Sequence, residues 1–311
     1  MILTITLNTA IDRTLFIKEF SWGKTIRATH TVLGMGGKAT DASWILSEIG
    51  ETNCAMGFAA GETGRLLRRM LEERGSQTNF VWVNGETRTN IVIISESGQG
   101  QSTLVSGELE ITADKVTEFR DEFTRHLKQT QCLIIGGSVP AGVNPRIYYD
   151  LVKEARSLGV PVVFDANGPG LRIGLEGQPT VIKPNIDEIS DLAGWKVTTI
   201  QHAYQAAKEL QKNSSTIFVI TLGSEGALAV ASNRAYLIPP LELNVVSSAG
   251  AGDAVVAGLS AALSKGQSLE EGLRLGFAAA GAVCLTAATA DCRKTDVEAF
   301  LPRIRLVPYQ G

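Results

Sequence analysis

Short, continuous apolar runs alternate with longer amphipathic stretches along most of this 311-residue chain. The runs are rich in β-branched residues and lack polar alternation, which is typical of strands buried on both faces. They occupy residues 2–7, 55–59, 132–135, 161–165, 180–183 and 217–222. The stretches between them predict helices over residues 40–49, 64–73, 113–128, 144–158 and 199–211, and two more follow at 251–263 and 269–285. This order predicts an α/β fold, a doubly wound and mostly parallel sheet flanked by helices.

Two segments, near residues 10–35 and 84–106, depart from this rhythm. They hold short alternating runs such as RTLFI, TRTNIVII and QSTLV. Alternation of this kind predicts a small, mostly antiparallel sheet inserted into the α/β frame. Beside a ligand cleft such a sheet can serve as a lid. We expect one domain over residues 1–311 that carries this lid.

Composition excludes several classes of protein. A formal net charge of −3 gives no basic face for nucleic acid. The four cysteines are far apart and form no C-x-x-C pair, which favours reduced thiols in a cytoplasmic protein over a zinc site or a disulfide framework. The N-terminal MILTITLNTAID has no basic stretch typical of a signal peptide. The longest apolar segment, residues 276–290, is interrupted by glycine and predicts a buried helix rather than a membrane span.

The sharpest chemical motif is Gly250-Ala251-Gly252-Asp253. The residues before it, VVSS at 245–248, predict the end of a strand, and a long apolar helix is predicted from Ala251. Small residues let the backbone N–H groups of a helix N-terminus approach an anion, such as a phosphoryl group in transfer. Asp253 could then accept a proton from an attacking hydroxyl. In isolation the same aspartate is also explained by the preference of acids for the first turn of a helix.

A second glycine motif, GMGGK at residues 34–38, precedes the helix predicted from residue 40. It suits a hydroxyl-rich or phosphorylated ligand, although a tight turn explains it equally well. It is not a P-loop, because Val32 occupies the position of the first glycine and Ala39 that of the Ser or Thr. No G-x-G-x-x-G follows a strand, so a dinucleotide oxidoreductase is poorly supported.

Two further motifs lie at predicted strand ends. KPNIDE at 183–188 places an amide and a carboxylate three residues apart, on one side of a helical turn, where they could hold a hydrated magnesium ion. A solvated helix start is the alternative. TLGSEG at 221–226 has two glycines that would allow a nucleotide to approach the backbone, and a hairpin turn is the alternative. Asp12 follows the first strand, at the edge of the sheet where ligands bind, and could accept hydrogen bonds from sugar hydroxyls.

Together these motifs resemble the PfkB (ribokinase-like) carbohydrate kinase family, most closely its 1-phosphofructokinase and tagatose-6-phosphate kinase branch. The resemblance covers nearly the whole chain, and the motifs follow the family's order. They are TLNTAID at 6–12, GGKATDAS at 36–43, GETRTN at 85–90, GGSVPAG at 136–142, KPNIDE at 183–188, TLGSEG at 221–226 and SSAGAGDAVVAG at 247–258.

The resemblance implies ATP and Mg²⁺ as cofactors, a lid that often forms a dimer contact, and a role for each matching residue. The catalytic base is Asp253, and the anion hole is formed by Gly250, Ala251 and Gly252. The sugar is held by Asp12, Gly36, Gly37, Lys38, Asp41, Asn90 and Ser138, and the substrate phosphate by Arg27 and Arg88. The nucleotide site is lined by Lys183, Asn185, Thr221, Gly223 and Gly226. Magnesium is organised, through water, by Asn185 and Glu188.

Several positions depart from the family's pattern: Asp41 replaces Asn, Ala39 replaces Gly, Thr9 replaces Pro, Ser247 replaces Asp or Asn, and QSTLVSGELE at 101–110 lacks the usual Asn-rich form. Most of these changes lie on the sugar side of the site, so they affect the identity of the acceptor and leave the residues for phosphoryl transfer intact. An ionised Asp41 would only accept hydrogen bonds and would favour an unphosphorylated sugar. Three cations near the presumed pocket favour a hexose phosphate of the fructose 1-phosphate or tagatose 6-phosphate type, which we expect. A kinase for a free sugar or nucleoside, and a sugar-binding regulator without catalysis, remain the alternatives.

Overall fold

The fold is described from a computed structural model, which defines residues 1–107, 109–211 and 215–311. The strands are β1 (Ile2–Asn8), β2 (Ala10–Ile17), β3 (His30–Gly36), β4 (Asn53–Ala59), β5 (Gln77–Trp82), β6 (Arg88–Ser95), β7 (Gly100–Leu104), β8 (Cys132–Gly137), β9 (Val162–Ala166), β10 (Val181–Ile182), β11 (Ile217–Thr221), β12 (Ala227–Val230), β13 (Ala235–Ile238) and β14 (Val307–Pro308). The helices are α1 (Lys38–Glu48), α2 (Gly61–Glu73), α3 (Ala113–Leu127), α4 (Ile147–Ser157), α5 (Pro169–Glu176), α6 (Ile186–Ala193), α7 (Ile200–Leu210), α8 (Ala251–Ser264), α9 (Leu269–Val283) and α10 (Lys294–Phe300).

The larger sheet has ten strands in the order β14-β13-β12-β11-β10-β9-β8-β1-β4-β5. The strands from β11 to β5 are parallel, and β12 to β14 extend them as an antiparallel edge. From β1 the chain adds β4 and β5 on one side and β8 to β11 on the other, so the strand order reverses between β1 and β8. Ligands of open α/β sheets bind at the carboxyl ends of the strands at such a point.

Helices cover both faces of this sheet, which confirms the predicted doubly wound α/β architecture. Successive residues of β1 serve different cores, with Leu3 and Ile5 in the core beneath α3 to α7 and Ile2 in the core beneath α1, α8, α9 and α10. This two-sided burial explains why the strand sequences are continuously apolar. Helix α2 packs on the same face as α1, where its Leu67 and Leu71 contact the core around β4.

The second sheet, called the lid sheet below, has four strands in the order β3-β2-β6-β7. Two of its three pairings are antiparallel, and β2 and β6 pair in parallel. Its strands lie within the two segments that the alternating pattern singled out, so the prediction of a second, small sheet is confirmed. Whether both sheets belong to a single folding unit stays a prediction.

All six predicted strands and all seven predicted helices are present, with shifted ends. The sequence reasoning missed β5, β12, β13, β14, α5 and α10, which are short or lie at the sheet edges, and it gave α6 only as a possible helix start. The strand predicted just before Gly250 is wrong, because residues 245–248 are irregular. Val245 and Val246 are 60% and 45% exposed, and β-branched residues form a strand only where a neighbouring strand pairs with them. No helix in the described ranges is long and apolar enough to cross a membrane.

Candidate active site

The site is built at the carboxyl ends of β1, β8, β9 and β10, where the strand order reverses. Asn8 ends β1, and its Nδ2 donates a hydrogen bond to Oγ of Ser138, just after β8, over 3.1 Å. The same ends carry Asp165 on β9 and Lys183 one residue after β10. The topology therefore gathers polar side chains from four distant segments into one crevice.

Two helices begin beside this crevice, and each starts from a glycine with positive φ. Gly37 precedes α1 with φ 92°, and Gly250 precedes α8 with φ 84°. A Cβ atom on Gly250 would lie 2.4 Å from the backbone nitrogen of Ala290, so a side chain is excluded there by space as well as by conformation. Among the described residues no side chain caps α8. Its first turn can therefore direct backbone N–H groups and the positive end of the helix dipole at an anion.

A buried carboxylate joins two lysines below the start of α8. Asp165 is 1% exposed, and its Oδ1 lies 2.6 Å from Nζ of Lys38 while its Oδ2 lies 2.9 Å from Nζ of Lys183. Burial alone would raise the pKa of Asp165, but the two ammonium groups hold it below its ordinary value. Burial would lower the pKa of Lys38, yet the carboxylates of Asp165 and Glu188 raise it. Asp165 and Lys38 are therefore both charged at neutral pH.

Asp253, in the first turn of α8, completes this arrangement. Burial, and next the charge of Asp165, raise the pKa of Asp253 to about 7, against the opposing effects of Lys183 and Lys38. Lys183 also lies beside the same turn, since a Cβ atom on Gly252 would be 3.1 Å from its Nζ. A carboxylate with a pKa near neutrality is suited to accept and release a proton. We call Lys38, Asp41, Asp165, Lys183 and Asp253 the buried floor, in which Asp41, Asp165 and Lys183 are buried while Lys38 and Asp253 are half-buried.

Asp41 of α1 is the fifth member of the buried floor and is hydrogen-bonded to Asp253. Burial, followed by the charges of Asp253 and Asp12, raises its pKa well above the ordinary value for an aspartate. These effects favour the protonated, neutral form of Asp41. This state removes the negative charge on which the sequence argument for an unphosphorylated sugar depended.

The lid sheet contributes one side of the crevice, with the residues predicted to hold the sugar. Asp12 of β2 accepts hydrogen bonds from Nδ2 of Asn90 on β6 and from Oγ1 of Thr289, both at 2.9 Å. Asp12 also packs against Gly36, where a Cβ atom would lie 2.5 Å from its Oδ1. Arg88 begins β6, donates to the backbone oxygen of Asn8 over 3.3 Å, and is close enough to Asp12 to oppose the rise in its pKa caused by burial.

The opposite side carries the residues predicted for nucleotide and magnesium. Oδ1 of Asn185 accepts the N–H groups of Asp187 and Glu188, and Oε2 of Glu188 accepts the N–H of Asn185, which forms a complete capping box at the start of α6. Thr221 ends β11 and forms a bridge with Asn185. The hairpin from β11 to β12 contains Gly223 and Gly226, so the alternative of a hairpin turn is correct as a description of its backbone.

The side chains of Asn185 and Glu188 suit a magnesium ion that is held through its waters better than one that they bind directly. Both oxygens of Glu188 are engaged, since Oε1 lies 3.4 Å from Nζ of Lys38 and Oε2 serves the capping box. Within the described ranges no three His, Cys, Asp or Glu side chains form a metal-binding cluster. Mg²⁺ keeps several waters and is often bound through few carboxylates plus phosphate oxygens, so these residues fit it only in that form.

The structure brings together most of the predicted site residues, but it does not connect Arg27 to them. Arg27 is exposed on the connection between β2 and β3, in a surface depression that it lines with Lys18 and Lys24. We call Arg88, Asn185 and Glu188 the rim, because they border the buried floor and keep some access to solvent.

Sequence reasoning missed two polar residues of the site. Asp165 had a signal, because it is a carboxylate at the end of an otherwise apolar predicted strand. Thr289, which binds Asp12, had none, since it lies in an irregular segment after α9. Outside the site, Ser247 and Gln101 form a 3.3 Å hydrogen bond between the loop before α8 and β7 of the lid sheet, and this contact was also missed.

A doubly wound sheet, a four-stranded lid sheet and a carboxylate at the uncapped start of an apolar helix define a ribokinase-like kinase. The model of the pfkB family of carbohydrate kinases matches residues 4–296, and the chain belongs to this family. It is therefore an ATP-dependent carbohydrate kinase, as the motifs predicted.

Relatives and solved structures agree with this assignment. The chain is 34% identical over 277 residues to a tagatose-6-phosphate kinase of Staphylococcus epidermidis, covering 88% of this chain and 89% of the relative. It is 31% identical over 307 residues to a 1-phosphofructokinase of Borreliella burgdorferi, covering 98% of each. It is also similar to the structure of a possible 1-phosphofructokinase from Thermotoga maritima, with a TM-score of 0.90, 29% identity and 99% of each chain covered. The predicted resemblance to this branch is confirmed.

Proposed function

We propose that this kinase transfers the γ-phosphate of ATP to a hydroxyl of a hexose phosphate of the fructose 1-phosphate or tagatose 6-phosphate type. The observation that carries the reaction is the carboxylate of Asp253 at the uncapped start of α8, beside the ammonium group of Lys183. The relatives named above, which are sugar-phosphate kinases, support the acceptor class.

Each part of the buried floor has a distinct task in this reaction. Asp253 accepts the proton of the sugar hydroxyl as the hydroxyl oxygen attacks the γ-phosphorus. The first turn of α8, from Gly250 to Gly252, and the ammonium of Lys183 stabilise the charge on the transferred group. Asp165 holds both lysines in place. Positioning and electrostatic stabilisation are the main sources of catalysis in phosphoryl transfer.

Nucleotide and metal are placed on the side of α6 and β11. We propose that ATP lies along Lys183, Asn185, Thr221, Gly223 and Gly226, and that Glu188 holds a hydrated Mg²⁺ through its waters. When bound, this ion would neutralise negative charge on the phosphates during transfer. The position of Glu188 beside Lys38 supports the proposal, because it puts the carboxylate at the edge of the buried floor.

The proposed sugar phosphate fits the charges on the lid side. Arg88 lies beside Asp12 and Asn8 at the crevice and can form charge-assisted hydrogen bonds with a phosphate. Asp41, being protonated, adds no negative charge to repel such a ligand. We also place Arg27 on the substrate phosphate, by the family pattern alone. The sugar hydroxyls would meet Asp12, Gly36, Gly37, Lys38, Asn90 and Ser138.

A paired acceptor panel tests the function. The rate of ADP formation is measured with fructose and tagatose, each as the free sugar and as the 1- or 6-phosphate, with and without Mg²⁺. We expect kcat/KM for one phosphorylated sugar to exceed that of its free counterpart by at least tenfold, the value of one charge-assisted bond of about 1.5–3 kcal/mol. A preference for free sugars or a nucleoside would contradict the acceptor class. No turnover with any acceptor would favour a sugar-binding regulator.

The outer face of the lid sheet supports a homodimer. Register places Leu33, Arg13, Ile91 and Leu104 side by side across its four strands, and Leu104 is 57% exposed. An exposed apolar sheet face of this kind is typical of a protein interface, and we propose a second copy of this chain as its partner. Sedimentation should show a dimer that Leu104→Lys weakens, and a monomeric wild type would contradict it.

The four free cysteines support a cytoplasmic location.

A further inference from the structure

A second carboxyl group lies against the catalytic one. Asp41 is in the first turn of α1 and Asp253 is in the first turn of α8, and the two helices pack together. Their side chains are hydrogen-bonded to each other. An ionised carboxylate only accepts hydrogen bonds, so one of the two groups must carry a proton.

The surroundings assign that proton to Asp41. Its side chain is 4% exposed, and in the described part of the chain its Oδ1 receives no hydrogen bond from an N–H or hydroxyl donor. The titratable groups that face it are both acids, Asp253 from α8 and Asp12 from β2. A buried carboxylate without donors or cations is costly, and protonation removes that cost.

Asp253 has different neighbours. It faces Lys183, which follows β10, and Lys38 of α1, in addition to the carboxylate of Asp165 on β9 and the carboxyl of Asp41. The two ammonium groups stabilise a negative charge on Asp253. The cations and the hydrogen bond therefore favour the same arrangement, with the proton on Asp41 and the charge on Asp253.

We propose that Asp41 and Asp253 form a carboxyl pair that holds one proton at neutral pH, with Asp41 donating to ionised Asp253. Asp41 is then a positioning residue, which fixes one oxygen of Asp253 and leaves the other to accept the proton of the sugar hydroxyl. In the transfer, a bond forms from the hydroxyl oxygen to the γ-phosphorus, the bond from that phosphorus to ADP breaks, and the hydroxyl proton passes to Asp253. The proton of Asp41 stays in place throughout.

A coupled pair of this kind titrates in two steps that belong to both groups. Burial, and then the neighbouring acids, raise the pKa of each member. In acid the pair gains a second proton and Asp253 can no longer act as a base. At alkaline pH the pair loses its only proton, and the two adjacent carboxylates then repel an anionic substrate. The form with one proton is therefore the working form.

Infrared spectroscopy of the ligand-free protein tests the pair independently of any substrate. The measurement is the C=O stretching band of a protonated carboxylic acid, taken about one pH unit above the pKa of Asp253. We expect wild type to keep the band, Asp41→Asn to lose it, and Asp12→Asn, a nearby buried acid without a hydrogen bond to Asp253, to retain it. A wild type without the band, or a band that persists in Asp41→Asn, would overturn the pair.

The kinetic arm rests on the proposed function and uses the preferred sugar phosphate. In wild type, kcat/KM should fall about tenfold per pH unit over the alkaline range in which the band disappears. Asp41→Asn should keep the acid limb and lose this alkaline fall, since its amide has no proton to lose. An alkaline fall that remains in Asp41→Asn, or that precedes the loss of the band, contradicts the role of the pair. Absence of turnover with all acceptors would contradict the proposed function instead, while the infrared result stands.

Discussion

The buried floor and the rim line the same crevice, but they hold their charges in opposite ways. On the floor Lys38, Asp165 and Lys183 are paired with one another, and Asp165 is 1% exposed. On the rim Asn185 is exposed, while Arg88 and Glu188 are half-buried. Removing one member of a buried pair leaves its partner charged and without solvent, whereas a rim charge is screened by water. Substitutions on the floor should therefore have larger effects than substitutions on the rim, and those effects should not be additive.

The largest effect is expected at Asp253. Asp253→Asn removes the group that accepts the hydroxyl proton, so kcat should fall about 10²–10⁴-fold while the KM for ATP changes little. Steady-state kinetics with the preferred acceptor measures both constants. Activity within about threefold of wild type would show that another group is the base.

Asp165→Asn comes next, and its effect is on stability. The substitution removes the carboxylate from the buried ammonium group of Lys183 and from the half-buried one of Lys38, which should lower the free energy of unfolding by about 3–5 kcal/mol. Urea denaturation measures this loss. A loss under about 1 kcal/mol would mean that water reaches the two lysines and that the floor is not buried in solution.

On the rim, Arg88→Ala should raise the KM for the phosphorylated sugar at least tenfold, through loss of a bond of about 1.5–3 kcal/mol, without a matching fall in kcat. Arg69→Ala is the matched control, because it removes the same charge from an exposed position of α2. Equal KM values in the two variants would place the substrate phosphate away from Arg88.

The smallest effect is expected for Glu188→Gln. Glutamine can still accept the N–H of Asn185, so the capping box survives and the free energy of unfolding should change by less than about 0.5 kcal/mol. The magnesium concentration for half-maximal rate should rise, because the charge that holds the hydrated ion is lost. Asp187→Asn, a change in the same helical turn, serves as control. An unchanged magnesium requirement in Glu188→Gln would limit this residue to a structural role.

The same contrast explains what the sequence could predict. The catalytic motif could be predicted from the sequence because its glycines, the start of its helix and the carboxylate of Asp253 all lie within four residues. The ion pair between Asp165 and Lys38 could not be predicted in this way, because the two residues are 127 positions apart. Only the parallel order of β1, β8 and β9 brings them together. Asp41 shows the limit most clearly, because its identity is visible in the sequence but its protonation depends on Asp253 from another helix.

The fold was more predictable than the site. The pattern of apolar residues predicted the strands buried on both faces and the amphipathic helices. The alternation of apolar and polar residues predicted the strands of the lid sheet. The secondary-structure predictions failed where contacts with distant parts of the chain determine whether a segment forms a strand. Val245 and Val246 have strand-forming side chains but no strand beside them, and β12 and β13 are short strands that the edge of the sheet stabilises.

The central claim is that this site phosphorylates a sugar that already carries a phosphate. ³¹P NMR of the wild-type protein with ATP, Mg²⁺ and each of fructose 1-phosphate and tagatose 6-phosphate tests it directly. We predict that with one of them the ATP signals are replaced by those of ADP and of a sugar bisphosphate in equal amounts. Formation of ADP with inorganic phosphate alone, or of a monophosphate from a free sugar in preference to a bisphosphate, would contradict the account.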